Sequence, residues 1–303
     1  MKHKKKLIGL TLGGGGARGF AHIGVLKVFE EESIPIDIIT GTSVGALIGG
    51  AYASGTTPGK LIEMSDTYLN SEEFQSSAIN AISEAHKKED GGITRRVQNF
   101  LKNRFYLAQM IFKPGILSTE DFQSMINHFI PDIDIQDTPI TFRAVATDLI
   151  SGEEIVFSEG SLRQAVMASC AVPGAIEPMK SGERLLSDGG IVSSVPIHAA
   201  REAGAHIFIA VTVAQDIAYR EDFHTALAVY GRATDIMAYH LMNHDLKEAD
   251  IVIRPHVGSL HWSDYLQARD LIYEGEKAAR ENIEAIKKIL PRSFYTRVID
   301  FFK

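Results

Sequence analysis

The sequence predicts an α/β fold in three layers: a mostly parallel central sheet, helices on both faces, and a helical insertion. Two observations carry this. Short apolar, strand-like runs alternate with helical patterns, and strand-helix-strand order implies parallel pairing in a sheet covered on both sides. Two glycine-bearing turns, Gly13–Gly16 and Gly41–Gly45, each stand between a strand pattern and a helix pattern, and loops at the carboxyl edge of such a sheet are where ligands bind.

The elements follow in order. Leu7–Leu12 reads as the first strand, Gly13–Gly16 as a turn, and Ala17–Glu32 as an amphipathic helix that must stop before Pro35. Ile36–Thr40 is a second strand, followed by a helix from Ala46 to about Ser54. Between Thr56 and Gly115 regular alternation is lost, and Phe100 to Phe112 is apolar and basic together; this is read as a helical insertion, packed as a layer or acting as a lid. Ile140–Asp148 and Glu154–Phe157 then read as strands, Ser161–Ser169 as a helix, and Leu185–Ser187 as a short strand ending at Asp188. Ile197–Ala203 is a helix, His206–Val213 and Asp250–Pro255 are strands, and Tyr265–Ile289 is a long final helix. One unit over 7–290, carrying the insertion 56–115, and a basic, aromatic tail over 291–303 are expected.

Bulk properties narrow the function. The chain of 303 residues is 45% hydrophobic and 23% charged, ordinary for a globular enzyme. A net charge of −7 gives no electrostatic case for nucleic acid. The single cysteine, Cys170, excludes an internal disulfide framework and fits a reducing, cytoplasmic setting. No Cys/His grouping has zinc spacing, so neither metal nor organic cofactor is expected. The basic start through Lys6 precedes only six apolar-run residues, Leu7–Leu12, short of the roughly 7–15 of a secretory signal, and nothing approaches the ~18 of a membrane span.

Gly41-Thr42-Ser43-Val44-Gly45 has the G-x-S-x-G pattern in the strand-to-helix setting that gives it meaning. Glycines at 41 and 45 permit a sharp turn, and the following helix aims its N-terminal N–H groups at whatever binds there. Gly14-Gly15-Gly16-Ala17-Arg18-Gly19 matches G-x-G-x-x-G. A dinucleotide site would want an acid at the end of the second strand, whereas Asp37 stands at its start. The stretch reads better as an anion nest whose amides face the Ser43 turn and could hold an acyl oxyanion. Arg18 either adds positive charge there or pairs with a structural carboxylate. Ser43 needs a base, and two kinds of candidate compete. One is a late histidine (His198, His206, His240, His244, His256 or His261); the other is Asp188, which ends a short apolar strand before Gly189 and Gly190.

These blocks, with Ala171-Val172-Pro173-Gly174, make the chain resemble the bacterial patatin-like phospholipases. The resemblance implies a Ser–Asp dyad without histidine: Ser43 as nucleophile, Asp188 as base, and Gly14, Gly15 and Gly16 as oxyanion donors. The implied chemistry is hydrolysis of lipid acyl esters through an acyl-enzyme. One departure stands out. The family commonly carries asparagine shortly before the proline that follows Asp-Gly-Gly, where this chain has Ser193-Ser194-Val195-Pro196. Neither serine is given a catalytic role, and Cys170 reads as a buried small residue.

A lipid substrate requires an interface. From Lys287 on, five cations, one acid and several aromatic residues could meet an anionic membrane, or the tail could pack on the body. The Lys4-Lys5-Lys6 cluster has the same two readings. The rivals to a lipid acyl hydrolase are a histidine-dependent esterase or acyltransferase and a lipid- or nucleotide-binding regulator without turnover.

Overall fold

A computed structural model describes residues 6–77, 80, 115, 119–221, 223–258, 260 and 264–291. Most of the expected insertion, including Phe100–Phe112, lies outside these residues, as do Lys4, Lys5, His261 and the tail from 292 on.

Eight strands form one sheet: β1 (Ile8–Leu12), β2 (Ile38–Thr42), β3 (Thr141–Asp148), β4 (Glu154–Phe157), β5 (Met179–Ser181), β6 (Arg184–Asp188), β7 (Ile207–Val211) and β8 (Ile251–Ile253). The order is β5-β6-β3-β2-β1-β7-β8, with β4 also paired to β3. β3-β2-β1-β7-β8 is parallel throughout, and β4, β5 and β6 join antiparallel. β1, β2 and β7 are buried at every position, the mark of a sheet covered on both faces.

Side-chain alternation sends each strand into two cores. Ile207, Ile209 and Val211 of β7 join the larger core, with α1 (Phe20–Glu31), α2 (Val44–Ala53), α3 (Pro58–Leu69), α4 (Glu72–Ser76), α5 (Thr119–Phe129), α6 (Leu162–Ser169) and α9 (Ala268–Ile289). Phe208 and Ala210 face the smaller core, built from α7 (Ile197–Glu202) and the end of α8 (Ala226–Asp245). The three-layer expectation therefore holds. The start of the insertion is helical, with Thr57 capping α3 through the Lys60 N–H.

Two expectations are corrected. β2 runs two residues later than predicted because Gly41 and Thr42 stay in the ladder with β3, while Asp37 lies outside the strand and accepts the Ile8 N–H at 3.0 Å. The first and last helices each begin with a 3-10 turn, Gly16–Gly19 and Tyr265–Gln267. The strand ending at Asp188, whose direction the sequence leaves open, does not join the parallel set.

The pairing of β3 shows where β6 goes instead. Ala144 and Val145 pair with β2 and also with β4, so those strands occupy opposite edges of β3. Ala146 and Thr147 pair with β4 and with β6, so β6 takes the edge that β2 has left. β2 thus climbs β3 to Thr42, opposite Val145, and β6 descends to Asp188, opposite Ala146. The two strands meet end to end, and the residues that terminate them are the serine turn and the aspartate.

Candidate active site

Ser43 leaves β2 with φ 56° and ψ −129°. A non-glycine residue in that region is strained and persists only where its surroundings over-determine it. Three contacts do so. The Ser43 N–H donates to Ser169 Oγ at 2.9 Å, and Ser169, at the end of α6, donates in turn to the Val145 carbonyl at 2.5 Å. The Ser43 carbonyl accepts the Ala46 and Leu47 N–H groups and starts α2. Gly45 lies against β1, where a Cβ would stand 2.1 Å from the Leu12 carbonyl oxygen.

Asp188 is held as firmly. Its N–H donates to the Ala171 carbonyl, and its own carbonyl accepts the Thr147 hydroxyl at 2.9 Å. The next residue passes so close to β3 that a Cβ on Gly189 would sit 2.3 Å from the Val145 oxygen. The carboxylate accepts the Gly190 N–H at 2.7 Å. Burial pushes its pKa up to about 6, against the pull of hydrogen bonds from the Ser43 hydroxyl and the Gly190 amide. Both Ser43 and Asp188 are only 6% exposed. Both side chains are thus largely shielded from water.

The glycine turn forms the third side. A side chain on Gly14 would come within 3.3 Å of the Ser43 Cβ, so the two turns face each other as expected. Gly14 itself is a correction. Its N–H donates to the Ser194 carbonyl at 3.1 Å, because the segment returning from Asp188 crosses behind the turn. The amides of Gly15 and Gly16 donate to no group among the described residues. Arg18 Nε donates to the Gly15 carbonyl at 3.0 Å, and Asp235 on α8 faces its charge. That bond pins the turn from within.

Several residues that hold the site carried no signal in the sequence. The Ser193 and Pro196 carbonyls accept the hydroxyls of Thr42 and Thr40, tying the return segment to β2 by backbone oxygens. His22 is fully buried, and its Nε2 meets the Gly13 carbonyl at 2.8 Å. Burial drives its pKa down to about 4, so it is neutral near pH 7 and Nε2 carries the proton.

The late histidines are elsewhere. His198 meets Glu154 at 2.7 Å, His206 accepts the Leu7 N–H, His240 packs edge-on to Tyr239, and His256 is exposed. His244 sits near the end of α8. Among the described residues no histidine lines the pocket at Ser43.

That pocket is open on one side. Gly16 and Ser43 stand at one wall; Leu47, Tyr68, Phe122, Phe129, Ile176 and Tyr265 supply much of the rest. Cys170 is there too, its thiol pushed well up by burial and by the Asp188 charge, which leaves it a protonated apolar group. No group of metal-binding side chains occurs among the described residues.

Comparison with known proteins agrees with the geometry. Residues 10–201 match the family model described as patatin-like phospholipase. An uncharacterized NTE family protein of Mycobacterium tuberculosis is 34% identical over 206 residues, 68% of this chain and 49% of the relative. Patatin-like phospholipase domain-containing protein 7 of Mus musculus is 31% identical over 229 residues, 75% of this chain and 14% of that protein. The match thus spans about half the length of the mycobacterial relatives and far less of the mouse one. Among solved structures, VipD from Legionella pneumophila aligns with 90% of this chain and 67% of its own at 12% identity and a TM-score of 0.38. The matched span runs from β1 into α7 and takes in the glycine turn, the Ser43 turn and Asp188: this chain belongs to the patatin-like phospholipase family.

Proposed function

We propose that this protein is a serine acyl hydrolase that cleaves lipid carboxylic esters through an acyl-enzyme. Ser43 Oγ attacks the ester carbonyl while Asp188 takes its proton. The amides of Gly15 and Gly16 bind the oxyanion of the tetrahedral intermediate, each such donor typically supplying about 3 kcal/mol. Collapse expels the alcohol, which takes the proton from Asp188. Water then attacks the acyl-Ser43 carbonyl with Asp188 again as base, releasing the fatty acid and restoring the serine.

The observation that carries this reading is the buried Asp188 carboxylate, near enough to the Ser43 hydroxyl for the serine to lower its pKa, beside an apolar pocket that lacks histidine among the described residues. A pKa of about 6 makes the aspartate a far better base than an ordinary carboxylate of about 4. The lining suits an acyl chain, since each buried methylene contributes about 0.8 kcal/mol. A cytoplasmic setting remains the reading of the cysteine usage, and no helix of the described residues is long and apolar enough to cross a membrane.

A fluorophosphonate probe tests the proposal. Labelling is expected in the parent chain and absent from Ser43→Ala, with ester hydrolysis lost in Asp188→Ala and kept when each late histidine is replaced. A folded histidine variant without activity, or labelling that survives in Ser43→Ala, refutes it.

A further inference from the structure

The two glycine turns meet on one peptide, and among the described residues a single side chain bonds it. That peptide joins Gly13 to Gly14. A Cβ on Gly45 would stand 2.8 Å from the Gly13 oxygen, and one on Gly14 would stand 3.3 Å from the Ser43 Cβ, so the unit packs directly on the serine turn. A peptide is planar, so its carbonyl and its N–H rotate together. Both ends are engaged. The Gly14 N–H donates to the Ser194 carbonyl at 3.1 Å, and the Gly13 carbonyl meets His22 Nε2 at 2.8 Å. The first bond is backbone to backbone. The second comes from α1, the helix into which the turn runs. His22 is a poor choice for stability alone. It is fully buried, and its Nδ1 has no hydrogen-bond partner among the described residues. A buried nitrogen left unpaired costs free energy that an apolar side chain of similar shape avoids. The polar contribution of His22 therefore rests on the one bond from Nε2.

We propose that His22 is a positioning residue: its bond to the Gly13 carbonyl fixes the angle at which the turn presents the Gly15 and Gly16 amides to Ser43. The proposal rests on reading the Ser43 site as a serine hydrolase. A carbonyl oxygen only accepts, so Nε2 must carry the proton, and the neutral ring does so near pH 7. Without that bond the Gly13–Gly14 unit is held at its N–H alone. The glycines that follow have no Cβ to limit their rotation, so the next two amides move with it. Arg18 still holds the far end of the turn at the Gly15 carbonyl, which makes the loss partial. Donors to an oxyanion work only in the right geometry, and a misplacement of about 1 Å can cost on the order of a hundredfold. The oxyanion exists only in and near the transition state, so the loss falls on kcat and spares substrate binding.

The test uses the full chain and a soluble short-chain p-nitrophenyl ester, with folding checked by circular dichroism and thermal melting. His22→Phe keeps a ring and removes the donor; it is expected to lower kcat about thirtyfold while KM stays within about twofold. His22→Gln carries an amide N–H as many bonds from Cα as Nε2 and is expected to recover kcat to within about threefold of the parent. His22→Asn, with the same amide one bond short, should be as slow as His22→Phe and replaces it if that chain does not fold. A side chain that only filled the core would change melting and leave the kcat of folded protein alone. Parental kcat in the folded His22→Phe or His22→Asn chain overturns the proposal, and so does a folded His22→Gln chain that stays slow. A second readout needs no turnover. In Ser43→Ala labelled with 15N-glycine, the order parameters of the Gly15 and Gly16 amides should fall from about 0.85 to below about 0.6 when His22→Phe is added, and stay high with His22→Gln. Unchanged order in the folded His22→Phe chain also overturns the proposal. If the unmodified chain cleaves no ester, the hydrolase reading fails separately, and these amides still decide whether His22 holds the turn.

Discussion

Replacing Asp188 with asparagine should abolish ester hydrolysis and at the same time stabilise the protein, by an amount that grows with pH. Burial raises the carboxyl from 3.8 to about 6. The folded chain therefore holds this proton more tightly than the unfolded chain does. Between those two values the folded state carries more proton, so its stability falls as pH rises. At about 1.4 kcal/mol per pKa unit the full penalty approaches 3 kcal/mol above the folded value. Asparagine keeps the shape and an oxygen for the Gly190 N–H but never ionises. Integrating the two titrations, its advantage over the parent should widen by about 1.4 kcal/mol between roughly pH 5 and pH 8. Urea denaturation of both forms at each pH reads this directly, because every other titrating group is common to the pair and cancels. An advantage equal at both pH values, or smaller at the higher one, refutes the argument that desolvation sets the properties of this acid.

The same group sets the rate profile. With Asp188 as base, kcat/KM on an uncharged ester should fall about tenfold per pH unit below roughly pH 6, and a limb near 4 contradicts the raised pKa. Ser169→Ala removes the acceptor for the Ser43 N–H and a donor to Val145; it should cost about 1–3 kcal/mol of stability and lower kcat more than it alters KM, and unchanged kcat excludes a positioning role. In Gly45→Ala the new Cβ meets the Leu12 carbonyl at 2.1 Å, so little soluble folded protein is expected, whereas Gly59→Ala, with open space around it, should be stabilising by up to about 1 kcal/mol. Across a series of soluble p-nitrophenyl esters, each added methylene that enters the pocket should raise kcat/KM about fourfold, and a flat series argues against acyl binding there.

The parallel strands were legible because complete burial leaves an uninterrupted apolar signature, as in Ile207–Val211. β5 escaped notice because Met179–Ser181 is three residues long and partly exposed. The helix Ala226–Asp245 was not predicted at all: Met242 is its one fully buried side chain among those described, so no inward stripe announces it. Within the site, side-chain chemistry could be read and main-chain chemistry could not. Ser43 and Asp188 stand out by residue type and neighbouring glycines. The engagement of the Gly14 amide by Ser194, the bond from Ser169 to Val145 and the support of Gly13 by His22 depend on which backbone groups come together in three dimensions. The direction of β6 was equally hidden, because it follows from which edge of β3 lies open beyond Thr42.

β3 acts as a common ruler for the two halves of the site. The strands that carry the alcohol and the acid end opposite adjacent peptide groups of β3, Val145 and Ala146. Whatever lengthening or shortening occurs between α4 and α5 leaves both marks on that ruler undisturbed. Substitution of β3 side chains leaves the marks in place as well. One extra residue inserted between Val145 and Ala146 does not: it slides the aspartate a full step along the strand, and parts the pair while every chemical group is still present.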